Sequence, residues 1–303
     1  MARQPRVIVA VVTFQSAPHL PDFLAALPAG LAGVASWQLI VADNASTDGT
    51  VALARRLAPD AVVVELGANL GYSAGVNAAL RAVPSADAVL VLNPDIRLRP
   101  RSVALLLAAL REPGVGITVP RLIDEHGDTA PSLRRAPSVL RALGEAVLGG
   151  RRAGRFELLG EVVRDPDRYE VAGTAAWASG AAMMIARRCF DAVGPWDESF
   201  FLYAEETEFA LRAADAGFTL RYVPEAVAVH IGGEAHESPE LWSLLMANRV
   251  RLFSRRHGPW RTAAFRGALV LNEAVRAAGS RTHRAGLRAL LPPLAQPPTR
   301  SLS

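Results

Sequence analysis

Two hydrophobic patterns alternate along the first third of the chain. Nearly uninterrupted apolar runs at 6–14, 37–43, 61–66 and 88–92 read as strands buried on both faces. Between them, 18–31 carries Leu20, Phe23, Leu24 and Leu27 on one helical face, and 51–57 and 74–82 have the same spacing. A β-α-β-α-β-α-β order of this kind demands a parallel sheet with right-handed crossovers. After Asp95 the rhythm changes. A helix is predicted over 100–110, with Pro100 in its first turn where the missing N–H costs little, then a strand over 115–120. Residues 124–171 are rich in Arg, Gly and Pro, with one amphipathic stretch at 139–148. An apolar strand is predicted over 175–186, with Gly180 marking a turn or a close approach. A helix over 205–216, strands over 220–224 and 227–230, and helices over 241–253 and 263–278 follow, and the Pro- and Ser-rich last dozen residues read as disordered.

With 303 residues, half of them hydrophobic, the chain can bury a sizeable core as one large domain or one domain with a tail. No apolar run reaches the roughly 18 to 20 residues of a membrane span. The start of the chain leads directly into a strand without a signal-peptide hydrophobic region. The single Cys189 excludes an intrachain disulfide and a thiolate zinc site. These features set the expectation of a cytoplasmic protein. The net charge of +4 is unevenly spread: from Arg249 onward Glu273 is the only acidic residue. Such a tail suits an anionic surface, and without interleaved aromatic and basic residues it does not read as a nucleic-acid groove. Its Leu, Trp and Phe content favours a peripheral membrane contact at the inner face of the plasma membrane.

Polar clusters fall where the strands end: Thr13 with Gln15, Asp43 with Asn44 and Asp48, Asn69 through Asn77, and Asn93 with Asp95. Open α/β sheets bind ligands at that edge. Pro94 cannot donate to a ladder and ends its strand, so Asp95 is delivered to the edge beside Asn93, where a carboxylate suits a hard divalent cation held against a diphosphate. Each cluster alone is also ordinary turn chemistry. Ser46 or Thr47 can cap the helix that follows, with Asp48 favourable in its first turn. Gly67, Gly71 and Gly75 do not make a G-x-G-x-x-G fingerprint, and no phosphate-binding loop is present, so carboxylates and metal would have to hold a nucleotide.

The combination of Val-Val-Thr-Phe (11–14), Val-Ala-Asp-Asn-Ala-Ser-Thr-Asp-Gly-Thr (41–50), Asn-Leu-Gly-Tyr-Ser-Ala-Gly-Val-Asn (69–77), Leu-Asn-Pro-Asp-Ile (92–96), Ala-Ser-Gly-Ala-Ala-Met-Met-Ile (178–185) and Phe-Leu-Tyr-Ala-Glu-Glu-Thr-Glu-Phe (201–209) resembles a family 2 glycosyltransferase, most similar to its rhamnosyltransferase-like branch. The resemblance covers roughly residues 6–235. It implies an α/β fold of the GT-A type: a Rossmann-like, mostly parallel sheet flanked by helices, fused to an acceptor-binding half and followed by a helical tail. The expected division is 1–120 for the nucleotide-sugar half, 121–240 for the acceptor and catalytic-base half, and 241–303 for the basic extension.

The resemblance also implies roles. Asp43 would read the pyrimidine base, with Thr13, Gln15, Asn44 and Asp48 beside the same pocket. Asn69, Gly71 and Asn77 would form the loop over the nucleotide. Asn93-Pro-Asp95 stands where the family has D-x-D, so Asp95 becomes the direct ligand of a divalent cation, Mn2+ or Mg2+, and Asn93 a partner to ribose or sugar. Glu206 stands where the family usually has the Asp that deprotonates the acceptor hydroxyl, with Glu205 supporting it; the other reading of this acidic run is stabilisation of a helix N-terminus. His230 is either a structural hydrogen-bonder or the residue that completes the metal shell. Trp177 and Gly180 lie in the segment that resembles the acceptor wall, where Trp177 stacks on a sugar or fills the core. The implied activity is inverting transfer from a nucleotide-sugar, with dTDP-rhamnose foremost, to a cell-envelope glycan or polyprenyl-linked acceptor. A UDP-sugar transferase of galactofuranose or N-acetylglucosamine and a catalytically degenerate scaffold are the alternatives.

Overall fold

The computed structural model describes residues 6–82, 86–232 and 238–291. Its first half follows the alternating pattern: β1 (Arg6–Thr13), α1 (Leu20–Gly30), β2 (Ser36–Asp43), α2 (Thr50–Leu57), β3 (Val62–Glu65), α3 (Tyr72–Ala82) and β4 (Ala88–Leu92). Then come β5 (Ile96–Leu98), α4 (Ser102–Ala109), β6 (Val115–Ile123), β7 (Leu133–Arg134), α5 (Val139–Leu148), the short α6 (Gly150–Ala153) and α7 (Asp167–Glu170), β8 (Gly173–Ala175), β9 (Trp177–Ala178), β10 (Ala182–Ala186), α8 (Arg187–Val193), α9 (Glu205–Asp215) and β11 (Thr219–His230). Three helices close the described chain: α10 (Pro239–Arg256), α11 (Pro259–Arg276) and α12 (Arg281–Leu290).

The main sheet runs β3-β2-β1-β4-β10-β6-β11-β5, with β8 also paired to β11. β1, β2, β3, β4, β6 and β11 run one way; β5, β8 and β10 run against them. The mostly parallel α/β sheet expected from the sequence is therefore present. From Val7 to Thr13 every residue of β1 is buried, as is all of β4, which accounts for their lack of alternation. Parallel register sets Val11 beside both Val41 and Leu92, and Thr13 beside Asp43. Polar residues that follow the apolar runs thus arrive at one edge of the sheet together.

Several expectations need correction. The apolar stretch over 175–186 is three strands, because β8 pairs with β11, β9 with β7 and β10 with β4 and β6. The two strands predicted over 220–230 are one, whose pairing with β6 shifts register between Val223 and Val227, across the proline that cannot donate to the ladder. β5 is too short to show in the pattern, and it exists because β11 offers it an edge. Ser46 and Thr47 do not cap α2; Asp48 accepts from Thr50 N and Thr50 Oγ1 at 3.1 and 2.6 Å. The last twelve residues, read as disordered, lie outside the described residues.

A second apolar cluster lies under the C-terminal helices. Trp242, Met246, Val250 and Phe253 of α10, Phe265, Ala268 and Leu269 of α11 and Leu290 of α12 enclose Ala142 of α5, with Phe253 and Phe265 stacked 4.1 Å apart. α12, which the sequence pattern did not suggest, is capped by Ser280, whose hydroxyl accepts from His283 N at 3.2 Å. Among the described residues no helix is long and apolar enough to cross a membrane.

Candidate active site

At the ends of β1 and β2 the polar side chains satisfy one another. Asp43 Oδ1 accepts from the hydroxyls of Thr13 and Ser46 at 2.7 and 2.6 Å, and Oδ2 accepts from Ser46 N at 2.8 Å. A carboxylate has about four lone-pair directions, so one on Oδ2 is left for a ligand. Asn44 ties this edge to the start of α3, accepting from Leu70 N and donating to Gly71 O. Gln15, at a φ of 51°, grips Thr47 through both ends of its amide. Asp48 has its oxygens taken by Thr50 and Ala17 N; burial raises its pKa, but those hydrogen bonds outweigh it and hold the carboxyl below its ordinary value. Asp48 thus ties the start of α2 at Thr50 to the backbone at Ala17.

The loop of Asn69 and Gly71 closes over this edge. Gly71 has a φ of +91°, and a Cβ there would collide with the Phe201 carbonyl, which accepts from Tyr72 N at 2.8 Å. Asn69 Oδ1 accepts from Gly71 N. Asn77 is not brought to the cluster. Its amide donates to Trp196 O and Glu198 Oε1 and accepts from Trp196 N, so it clamps the chain ahead of α9.

Asn93 and Asp95 follow β4, held by Asn93 N donating to Ala181 O at 2.9 Å. Asp95 Oδ2 lies 3.3 Å from His230 Nε2 at the end of β11, whereas Oδ1 is buried with no hydrogen-bond partner. Burial pushes the Asp95 carboxyl up, but the hydrogen bond and charge of His230 prevail and hold it below its ordinary range. A Cβ on Gly232 would overlap Asp95 Oδ2, so glycine there keeps the carboxylate accessible. A carboxylate with an orphaned oxygen beside an imidazole nitrogen suits a divalent cation. Among the described residues no third His, Cys, Asp or Glu joins them, so the remaining ligands would come from phosphate oxygens, water or Asn93.

The acidic run opens α9. Tyr203 and Ala204 precede it with φ of 68° and 76°, two consecutive left-handed residues without the freedom of glycine. α10 holds this turn in place: Asn248 Nδ2 donates to Leu202 O and Tyr203 O at 2.9 and 3.1 Å. Glu205 is buried and its Oε2 has no partner; burial, and next the charge of Glu206, push its pKa well up. Burial also raises Glu206, while backbone N–H groups and the Arg134 guanidinium restrain the rise. The Glu206 side chain packs against Gly180, where a Cβ would stand 3.2 Å from its own Cβ. Arg134 lies 5.6 Å over the Trp177 ring, and Trp177 Nε1 donates to Arg135 O. Trp177, Gly180, Arg134 and Glu206 therefore form one wall.

Tyr72 lies in the fields of both this wall and Asp95. Its hydroxyl is buried without a partner, and burial together with the charges of Glu205, Glu206 and Asp95 raises its pKa well above the ordinary value. Along the sequence Tyr72 carries a single signal, an aromatic hydroxyl directly after Gly71. Asn248 was readable as a polar residue at a core position of an amphipathic helix. Arg134, in an irregular stretch, left no signal.

Two family models match the chain: glycosyl transferase family 2 over residues 8–166, and glycosyl transferase family group 2 over residues 166–251. It is 34% identical over 289 residues, 87% of this chain and 90% of the relative, to the N-acetylglucosaminyl-diphospho-decaprenol L-rhamnosyltransferase of Mycobacterium tuberculosis. It is 26% identical over 204 residues, 66% of this chain and 60% of the relative, to the low-salt glycan biosynthesis hexosyltransferase Agl10 of Haloferax volcanii. Among solved structures, a mannosyltransferase PcManGT from Pyrobaculum calidifontis in complex with GDP-Man and Mn2+ superposes with a TM-score of 0.58 at 21% identity, over 97% of this chain and 83% of that one. S. aureus TarS 1-349 superposes with a TM-score of 0.53 at 14% identity, over 94% and 90%. These two share the GT-A fold with this chain.

Proposed function

The chain belongs to glycosyl transferase family 2 and is a glycosyltransferase, and from that premise we propose that it transfers rhamnose from a thymidine diphosphate donor, with inversion, to a polyprenyl-diphosphate-linked amino sugar. The observation that carries the reading is the buried Tyr72 hydroxyl, which lies in the fields of Asp95, Glu205 and Glu206 and so joins donor edge and base into one site. A scaffold that had lost its chemistry would gain stability by neutralising these orphaned groups. Similarity to the mycobacterial rhamnosyltransferase supports the donor sugar and the acceptor class.

In this reading residues 1–120 hold the donor, 121–240 present the acceptor, and the helical extension braces the base. Asp43 accepts from the imide N–H of the base through the free direction on Oδ2, and Asn69 with Gly71 covers the nucleotide. Asp95 and His230 would hold a divalent cation, which when bound supplies positive charge against the departing diphosphate. Glu206 takes the proton of the acceptor hydroxyl as its oxygen attacks the anomeric carbon from the face opposite the diphosphate. Burial suits it to this, because a carboxylate raised from its ordinary pKa is a stronger base. Glu205, held toward its protonated form, leaves Glu206 as the charged member of the pair. Arg134 faces Glu206 and limits how far its pKa climbs.

The test is transfer from dTDP-rhamnose to a water-soluble N-acetylglucosaminyl-diphospho-lipid analogue, with UDP-galactofuranose, UDP-N-acetylglucosamine and GDP-mannose in parallel, each with Mn2+, Mg2+ or chelator. Metal-dependent product from dTDP-rhamnose is expected. Product from a UDP-sugar instead would move the donor assignment, and no product from any donor would refute the reading.

A further inference from the structure

The basic residues that open the C-terminal extension do not face outward as a group. Arg249 pairs with Glu161 at 2.8 Å, Arg251 donates to Ser199 O at 2.6 Å, Arg255 pairs with Asp197, and Arg256 pairs with Asp215 at 2.8 Å. Arg251 and Arg255 also cover Phe200. Phe253 and Phe265 are core residues. Of these cations, Arg251 and Arg255 brace the loop before α9, and Arg256 ties α10 to the end of α9.

A different surface has the character of an interfacial contact. α5 buries Ala142 in the C-terminal cluster and Ala146 on the same side, yet its opposite face is also apolar: Leu140, Leu143 and Val147, at helical spacing, with Leu148 beside them. The chain then folds back along α5, Arg141 Nε donating to Glu157 O at 3.1 Å, and this adds Phe156 and Leu158. These six side chains are 39–72% exposed. Large apolar groups so grouped on one face of a folded protein mark an interaction site. Arg151, Arg152 and Arg155 stand beside them, exposed and without a side-chain partner among the described residues, against the single exposed carboxylate of Glu157.

We propose that the outer face of α5 and the adjoining 155–158 segment form the surface by which this protein lies on an anionic lipid bilayer. The charge favours this occupant: an apolar face flanked by cations is the pattern of an interfacial helix, and phosphate headgroups would pair the three arginines. A second copy in a two-fold contact would instead bring both sets of arginines together over an apolar seam. Position favours it as well. α5 begins at Val139, joined by the short link over 135–138 to Arg134, which faces Glu206, while Arg141 Nη1 donates to Ala136 O within that link. A protein resting on this face would hold its acceptor wall close to the bilayer. The surface rests on the proposed function only in that a lipid-linked acceptor gives it a purpose.

The test is flotation of the full chain with vesicles of phosphatidylcholine, with and without phosphatidylglycerol. Binding to the anionic vesicles is expected, with partitioning lowered roughly tenfold or more by the paired changes Leu143→Glu and Val147→Glu. Arg151→Gln with Arg152→Gln should lower it by about fivefold per arginine at low salt, and the difference should shrink near 1 M salt, where the Debye length is about 3 Å. All four positions are exposed, so unchanged melting temperatures are expected, and transfer to the water-soluble acceptor should be unaffected. Failure of the native chain to bind anionic vesicles, or equal binding by the variants, overturns the proposal. So does a lipid-free dimer that Val147→Glu dissociates. Patch-dependent flotation without any glycosyl transfer would sink the proposed function while the bilayer surface stands; transfer without flotation would do the reverse.

Discussion

The carboxylates at the two sides of the strand edge are kept in opposite states. Asp43 is enclosed by three hydrogen bonds from Thr13 and Ser46. Asp95 and Glu205 each bury an oxygen with no partner, and the Tyr72 hydroxyl, in the field of both, has none either. A buried polar group with its hydrogen bonds made is close to neutral for the fold, whereas an orphaned one costs about 1–3 kcal/mol. The first side is therefore a rigid frame that contributes to stability. The second side costs stability in the atoms it leaves without partners.

If this contrast holds, changes on the two sides will separate activity from stability. The largest effects should come from Asp95→Ala and Glu206→Gln, each lowering transfer by roughly 10³-fold in steady-state assays. The melting temperature of Asp95→Ala should stay close to the native one, because removal of the orphaned Oδ1 offsets loss of the Oδ2 contact with His230. A large fall in melting temperature with activity retained would erase the distinction. Next, Asp43→Ala leaves the buried Thr13 hydroxyl, the half-buried Ser46 hydroxyl and an N–H without their acceptor and should cost about 3 kcal/mol in urea unfolding.

Asn248→Ala tests whether the extension braces the base. It releases the carbonyls of Leu202 and Tyr203 and lets the left-handed turn at 203–204 relax. A fall of about tenfold in kcat with little change in donor KM is expected, since small displacements of a general base are costly. Equal changes in both constants would point to general unfolding.

The smallest effect concerns Glu205. Its pKa is raised in the folded state, so the folded protein binds that proton more tightly than the unfolded chain. Stability from this group is complete below the ordinary glutamate pKa of 4.5 and is lost as pH rises through the folded value. Glu205→Gln does not titrate. Its thermal-denaturation curve should converge with the native one at acid pH and lie above it at neutral pH; parallel curves across the range would refute the raised pKa.

The apolar runs at 6–14, 37–43 and 88–92 determined by themselves that a parallel sheet forms and that Thr13, Asp43, Asn93 and Asp95 reach its edge, because a strand buried on both faces cannot hold a polar residue until it ends. The acidic run at the start of α9 and Gly180 were legible as short motifs, their roles coming from the family resemblance. Tertiary structure alone decided the rest. The stretch over 175–186 reads as one strand but splits among three neighbours, since pairing depends on partners remote in sequence. Arg249, Arg251 and Arg255 look like a solvated basic tail until residues 88, 52 and 58 positions away supply their partners. Tyr72 and Glu205 look like ordinary helix-start residues until burial strips them of water. A pattern along the chain reports which groups want to be buried, and only the packed fold decides which of them are left without a partner.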